Sequence, residues 1–294
     1  MQTTAERVAD GNGAAIQHAH LDVGEVRLHI ALAGPENGKL VVLLHGFPDF
    51  WWSWRHQIPA LAAAGFRVVA PDMRGYNLSD KPFGVEPYRM ERLIGDVAGL
   101  VRALGRDRAH IVGHDWGALV AWEFAMRRPE MTERLAILNA PHPRVLLDAL
   151  RRPGQMKKSW YMFFFQLPNL PEKLIAKDDY ALLRKTFRRY PKDDVERYVE
   201  AAKLARALNG PINYYRASMR DVLRGRGPAY RPVPAPTLVV WGEKDPFLGI
   251  ELARPDARWV PNTRLEMVPE AAHWVQVDAP ERVSELLLGH LAPA

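Results

Sequence analysis

The sequence predicts an α/β protein: a mostly parallel sheet with helices on both faces and a helical insertion past its middle. Three observations carry this. Short apolar runs rich in β-branched residues (KLVVLLHG, RVVAPD, HIVGHD and RLAILNA) are bounded by Gly, Pro, Asp or Asn and have the length of buried strands. Segments of helical spacing, HQIPALAAAG, MERLIGDVAGLVRALG and ALVAWEFAMRR, alternate with them. The alternation stops at Pro141 and resumes near Pro234, and the stretch between is aromatic-rich and helical in its spacing.

Ahead of these runs, IQHAHLDV and VRLHIALA alternate apolar and polar residues as a hairpin-type pair of strands. Beyond the interruption, PTLVVWGEKD and RLEMVPEAAH read as two further strands, and ERVSELLLGHL as a closing helix. Pro-rich segments, PHP at 141–143 and RPVPAPT at 231–237, flank the insertion in the manner of hinges. The expected organisation is a core made of residues 1–140 and 231–294, with a helical cap at 141–230. The opening MQTTAERVADGNGAAIQ lacks the basic-then-apolar shape of a signal peptide and reads as a frayed polar leader.

With 294 residues, 48% hydrophobic and 25% charged, the chain has an ordinary globular composition and enough length for one large core. No apolar run reaches membrane-spanning length. Cysteine is absent, which excludes a thiolate nucleophile or a disulfide framework and is compatible with a reducing cytoplasm. The formal charge of +6 is concentrated in the insertion, where 19 Lys and Arg stand against 9 Asp and Glu. Those cations are scattered along helices among acids, without a groove-binding motif. They read as a solvated surface, and no nucleic-acid partner is expected.

The sharpest chemical feature is Gly113-His114-Asp115-Trp116-Gly117, set between the strand HIV and the helix ALVAWEFAM. This is the context of a nucleophile elbow, a tight turn that presents one side chain at the sheet edge. Aspartate there differs from serine in being ionised already at neutral pH. A carboxylate suits displacement at a saturated carbon, and its product is an ester of the enzyme itself. Water must then be activated to cleave that ester, so a base is needed for the second step. His273 in PEAAHW, oriented by Asp245 in EKD, stands in the order nucleophile, acid, histidine. The other place for the acid, the end of the strand RLAILNA, holds Asn139, which carries no charge. His56, His110 and His142 have no comparable setting. His45-Gly46-Phe47-Pro48 follows LVVLL, and the backbone N–H groups of Phe47 and Trp116 are candidates for an oxyanion hole.

HGFPDFWWSWR, PDMRGY, GHDWG, EKD and the terminal HW together resemble the epoxide hydrolases of the α/β-hydrolase fold over nearly the whole chain. The resemblance implies two cap tyrosines that hold and protonate the epoxide oxygen. WYMFFFQLP places one at Tyr161, and INYYRA, where a tyrosine precedes arginine, places the other at Tyr215. Ring opening would otherwise expel a strongly basic alkoxide, which a phenol can protonate. Haloalkane dehalogenases share the aspartate elbow, but many of them resemble HG-Asn-P where this chain has Phe47. Fluoroacetate dehalogenases place arginines beside the elbow and a cap histidine, where this chain has Trp116, Leu119 and Tyr161.

The reading is thus an epoxide hydrolase that takes a small-molecule epoxide and water, with no cofactor and no metal, as a monomer or homodimer. Asp115, Asp245, His273, Tyr161 and Tyr215 are the expected catalytic residues. Phe47 and Trp116 are expected to line the substrate pocket. The alternatives are a dehalogenase with the same nucleophile and a catalytically silent ligand-binding protein on the same fold.

Overall fold

The computed structural model describes residues 4–6, 16–228 and 230–292. Among these residues there are nine strands: β1 (Thr4–Glu6), β2 (Ile16–Asp22), β3 (Arg27–Ala33), β4 (Leu40–Leu44), β5 (Arg67–Pro71), β6 (Ala109–His114), β7 (Thr132–Leu138), β8 (Thr237–Gly242) and β9 (Thr263–Val268). They form one sheet in the order β1-β2-β3-β5-β4-β6-β7-β8-β9. The first three and the β3–β5 pair are antiparallel, and every pair from β5 to β9 is parallel. Of the leader, Thr4–Glu6 is not frayed: it pairs along the edge of β2, whose backbone groups would otherwise lack partners. The rest, residues 1–3 and 7–15, lies outside the described residues.

The parallel strands are apolar on both faces because helices cover both. Val42, Leu44, Ile111, Ile137 and Val239 point to one cluster, with α2 (Met90–Ala103) and α3 (Trp116–Arg127). The alternate residues Val41, Leu43, Val112, Ala136 and Val240 point to the other, with α1 (Gln57–Ala63) and α11 (Pro280–Leu291). Helix α2 shows the sequence logic plainly. Leu93, Ile94, Val97, Leu100 and Val101 recur at one-turn spacing and are all buried.

Between β7 and β8 the described residues form six helices: α4 (Pro143–Ala149), α5 (Pro153–Lys158), α6 (Trp160–Phe164), α7 (Leu170–Thr186), α8 (Lys192–Lys203) and α9 (Asn209–Leu223). Helix α7 is broken at Lys177–Tyr180, where the backbone leaves helical angles. A short α10 (Val275–Asp278) precedes α11. Among the described residues, no helix is long and apolar enough to cross a membrane.

The sheet order sets the loops after β4, β6, β7, β8 and β9 side by side at the strands' C-terminal ends. That edge is where open α/β sheets bind ligands.

Helix α3 meets β4 backbone to backbone at Gly117. A Cβ on Gly117 would lie 2.2 Å from the Leu44 carbonyl oxygen and 2.5 Å from that of His45. Alanine in place of a helical glycine gains about 1 kcal/mol of propensity, but here overpacking costs about 1–3 kcal/mol or more. Gly117→Ala should therefore destabilise the fold. Gly95→Ala, at an open position of α2, should leave it unchanged or slightly more stable. Urea unfolding of both variants checks this, and a Gly117→Ala protein as stable as Gly95→Ala would contradict the close approach.

Candidate active site

Asp115 occupies the turn between β6 and α3 with φ 50° and ψ −118°, a conformation L-residues rarely adopt. Such strain costs about 1–3 kcal/mol and persists only where the surroundings enforce it. The turn lifts the carboxylate over Gly46, where any side chain would collide: a Cβ there would lie 2.4 Å from Asp115 Cβ and 2.5 Å from its Oδ1. The Phe47 N–H, next in the chain, donates to Asp115 Oδ1 at 2.7 Å. His45 holds this loop, since its Nε2 accepts from the Met73 N–H at 2.9 Å while Nδ1 lies 3.0 Å from the Gly46 carbonyl.

His273 comes from the loop after β9, and its Nε2 stands 3.6 Å from Asp115 Oδ2. Its Nδ1 is 2.7 Å from Asp245 Oδ2. Asp245 Oδ1 accepts the N–H groups of Phe247 and Leu248 at 2.8 and 3.0 Å.

The charges are mutually dependent. Burial opposes a charged imidazole, but Asp245 and Asp115 outweigh it and raise His273 to about 10. Burial likewise opposes the two carboxylates. His273, helped by the Phe47 N–H at Asp115 and by Asn139 and the Phe247 N–H at Asp245, holds both below their ordinary range. The resting site is therefore carboxylate, imidazolium, carboxylate.

A cavity of about 220 Å³ opens above Asp115, lined by Phe47, Tyr161, Phe165, Tyr215, Phe247 and His273 among others. Tyr161 in α6 and Tyr215 in α9 face one another with ring centroids 6.0 Å apart, nearly perpendicular. Burial and the Asp115 charge push both phenols upward in pKa, so both keep their protons at neutral pH. The Trp116 ring stands edge-on to Tyr215 at 4.9 Å. Of the two N–H groups expected as oxyanion donors, the structure puts that of Phe47 on the carboxylate.

The model of the alpha/beta hydrolase fold matches residues 39–280. The AB hydrolase superfamily protein YfhM of Bacillus subtilis is 43% identical, over 90% of this chain and 94% of its own length. Epoxide hydrolase 4 of Mus musculus is 37% identical, over 90% of this chain and 76% of its own. A Bacillus megaterium epoxide hydrolase, solved with an inhibitor, superposes with a TM-score of 0.86 at 33% identity, across 93% of this chain and 99% of that one. The chain belongs to the α/β-hydrolase family and, within it, to the epoxide hydrolases.

Several residues of this hydrolase's site escape a reading of motifs. Asn139, set aside as an uncharged alternative to the acid, donates from Nδ2 to Asp245 Oδ2 at 2.8 Å, and its Oδ1 accepts the Gly242 N–H at 2.9 Å. His114 Nε2 lies 2.8 Å from the His273 carbonyl oxygen. Burial and the His273 charge lower its pKa to about 3, so it is a neutral donor that fixes the His273 backbone. The Tyr214 hydroxyl donates to the Arg74 carbonyl at 2.8 Å, seating α9 on the core. Arg216 donates to the carbonyls of Phe165 and Leu167 at 3.0 and 2.6 Å and pairs with Glu172 at 2.6 Å. It thereby ties the element of Tyr215 to the segment that follows Tyr161.

His56 is exposed. His110 is buried 3.4 Å from Glu133, and the His142 ring accepts the Arg144 N–H at 3.3 Å at the start of α4.

Asp49 is buried in the same loop as Phe47, its Oδ2 4.0 Å from His114 Nδ1. Burial, reinforced by the Asp115 charge, pushes it up to about 7 against the help of Tyr198, Arg55 and His273. A carboxyl whose pKa is raised by folding stabilises the native state below its unfolded pKa. That contribution is lost as pH rises toward the folded value. Asp49→Asn should accordingly match the native protein near about pH 4 and exceed its stability by a few kcal/mol, in order of magnitude, near about pH 8. Urea unfolding at the two pH values tests this, and a difference independent of pH would refute it.

Proposed function

We propose that this chain hydrolyses epoxides to vicinal diols through an ester on Asp115. The inserted helices, roughly residues 141–230, serve as the cap over a core of residues 1–140 and 231–294. The observation that carries the reading is that an ionised carboxylate and two protonated phenols line one largely apolar cavity. This suits a reaction in which negative charge leaves Asp115 and appears on the epoxide oxygen. Relatives named as epoxide hydrolases at similar length support the same substrate class.

Asp115 attacks a ring carbon from the side opposite the breaking C–O bond, whose electron pair stays on oxygen. Tyr161 and Tyr215 donate to that oxygen and supply its proton. Once Asp115 is an ester, His273 loses one of the two carboxylates that hold its proton, and its pKa falls. The proton it gives up restores the phenol that protonated the opened oxygen. Neutral His273, oriented by Asp245, then takes a proton from water as that water adds to the ester carbonyl. The Phe47 and Trp116 N–H groups stabilise the oxyanion; collapse breaks the bond from the acyl carbon to the alkoxide oxygen, and the proton of the new Asp115 carboxyl passes to that oxygen as the diol leaves. Carboxylate and imidazolium are restored, so every group the two steps need is on this chain.

His273→Gln should still open about one epoxide per site and then stop. Intact-mass measurement should show a gain equal to the epoxide, on the peptide containing Asp115, and Asp115→Ala should show neither adduct nor turnover. A folded, epoxide-binding His273→Gln protein that never gains mass would sink the covalent route.

Replacing Tyr161 or Tyr215 alone by Phe should reduce diol formation, and replacing both should reduce it by about a hundred- to ten-thousand-fold. Halide release from a haloalkane, assayed in parallel, should stay slower than diol formation in the native protein. Faster halide release would instead identify a dehalogenase.

A further inference from the structure

We propose that the outer face of α5, α6 and the first half of α7 docks onto an anionic lipid bilayer, beside the mouth of the cavity. Single exposed apolar residues are ordinary on a globular surface. Here Met156, Trp160, Phe163, Leu167, Leu170 and Leu174 are all exposed within one short stretch of chain, Trp160 by 61%. The stretch from Met156 to Leu174 contains a single acid, Glu172, and Arg216 neutralises it at 2.6 Å. Its cations Lys157, Lys158 and Lys173 have no carboxylate partner among the described residues.

Aromatic and leucine side chains interleaved with lysines are what the interface of a negatively charged membrane binds. The apolar groups enter the acyl boundary, while each lysine lays its stem along them and its ammonium among the headgroups. A second copy of this chain fits the face less well. Two-fold packing would gather the unpaired lysines of both copies in one interface to which this stretch brings no free carboxylate.

The position of the face gives docking a purpose. Trp160 and Leu182 line the cavity and are also exposed, so the cavity reaches solvent at this side, and its walls inward from there are aromatic and aliphatic. A lipophilic solute held in the leaflet could pass into the cavity without crossing bulk water. Docking does not depend on the reaction assigned above, because the test reads partition rather than turnover.

The experiment is sedimentation of the full chain with extruded vesicles of phosphatidylcholine, alone or with about a third phosphatidylglycerol, at low and high salt. The native protein should pellet with the anionic vesicles at low salt and be released as the salt is raised. Lys157→Glu with Lys158→Glu, and separately Phe163→Ser with Leu167→Ser, should each weaken partition by at least about tenfold. Turnover of a water-dissolved epoxide should be unchanged in both. If the serine variant fails to fold, the charge-reversed variant, confined to exposed positions, decides alone. Native protein that stays in the supernatant with anionic vesicles, or variants that partition as it does, would overturn the proposal. Light scattering that shows a dimer abolished by the serine substitutions would assign the face to a second copy instead.

Discussion

The site depends on one constrained turn. Asp115 holds a backbone conformation that its side chain disfavours, and it does so because β6 enters the turn deep in the sheet while Gly117 locks α3 against β4. The carboxylate is thereby pressed over Gly46 and onto the Phe47 N–H. Relaxing the turn would move the carboxylate away from both His273 and the cavity. The fold's interior, rather than the loop itself, pins this carboxylate.

Around that fixed carboxylate the electrostatics form a closed set. One imidazolium lies between two carboxylates: the Phe47 N–H also supports Asp115, and two backbone N–H groups and the Asn139 amide also support Asp245. None of the three charges would be favourable alone at this depth. The arrangement is also responsive. In the route proposed above, ester formation on Asp115 would remove one of the two charges that hold the proton on His273, so the same residue would stand protonated before ring opening and neutral after it.

Much of this was legible in the sequence because it is local. Buried parallel strands show as uninterrupted β-branched runs, and the elbow shows as two glycines around an acid between a strand and a helix. The positions of Asp245 and His273 follow from chain order. What was not legible depends on partners far apart in sequence. Asn139 carries no charge, and its role rests on an amide that donates to Asp245 and accepts from the Gly242 N–H. His114 acts through the carbonyl of His273, a contact that no motif announces. The adjacent tyrosines of α9 are alike in sequence, yet about 100° of helical rotation per residue separates them. Tyr214 goes to the Arg74 carbonyl and Tyr215 to the cavity. The short strand at Thr4–Glu6 has no pattern of its own and exists because β2 offers an edge.

The clamp made by Asn139 lies where the chain leaves β7 for the insertion, and it closes on Gly242 at the end of β8. The two strands are in register from Leu135 opposite Thr237 to Leu138 opposite Val240. The ends of the long excursion are thus sutured by the core itself, and the histidine's supporting acid hangs from the suture rather than from the helices above it. Exchanging those helices would leave Asp115, Asp245 and His273 in place below while it moved or removed Tyr161 and Tyr215, which α6 and α9 carry into the cavity. The carboxylates and the imidazole thus hang from the core, and the phenols that face them hang from the excursion.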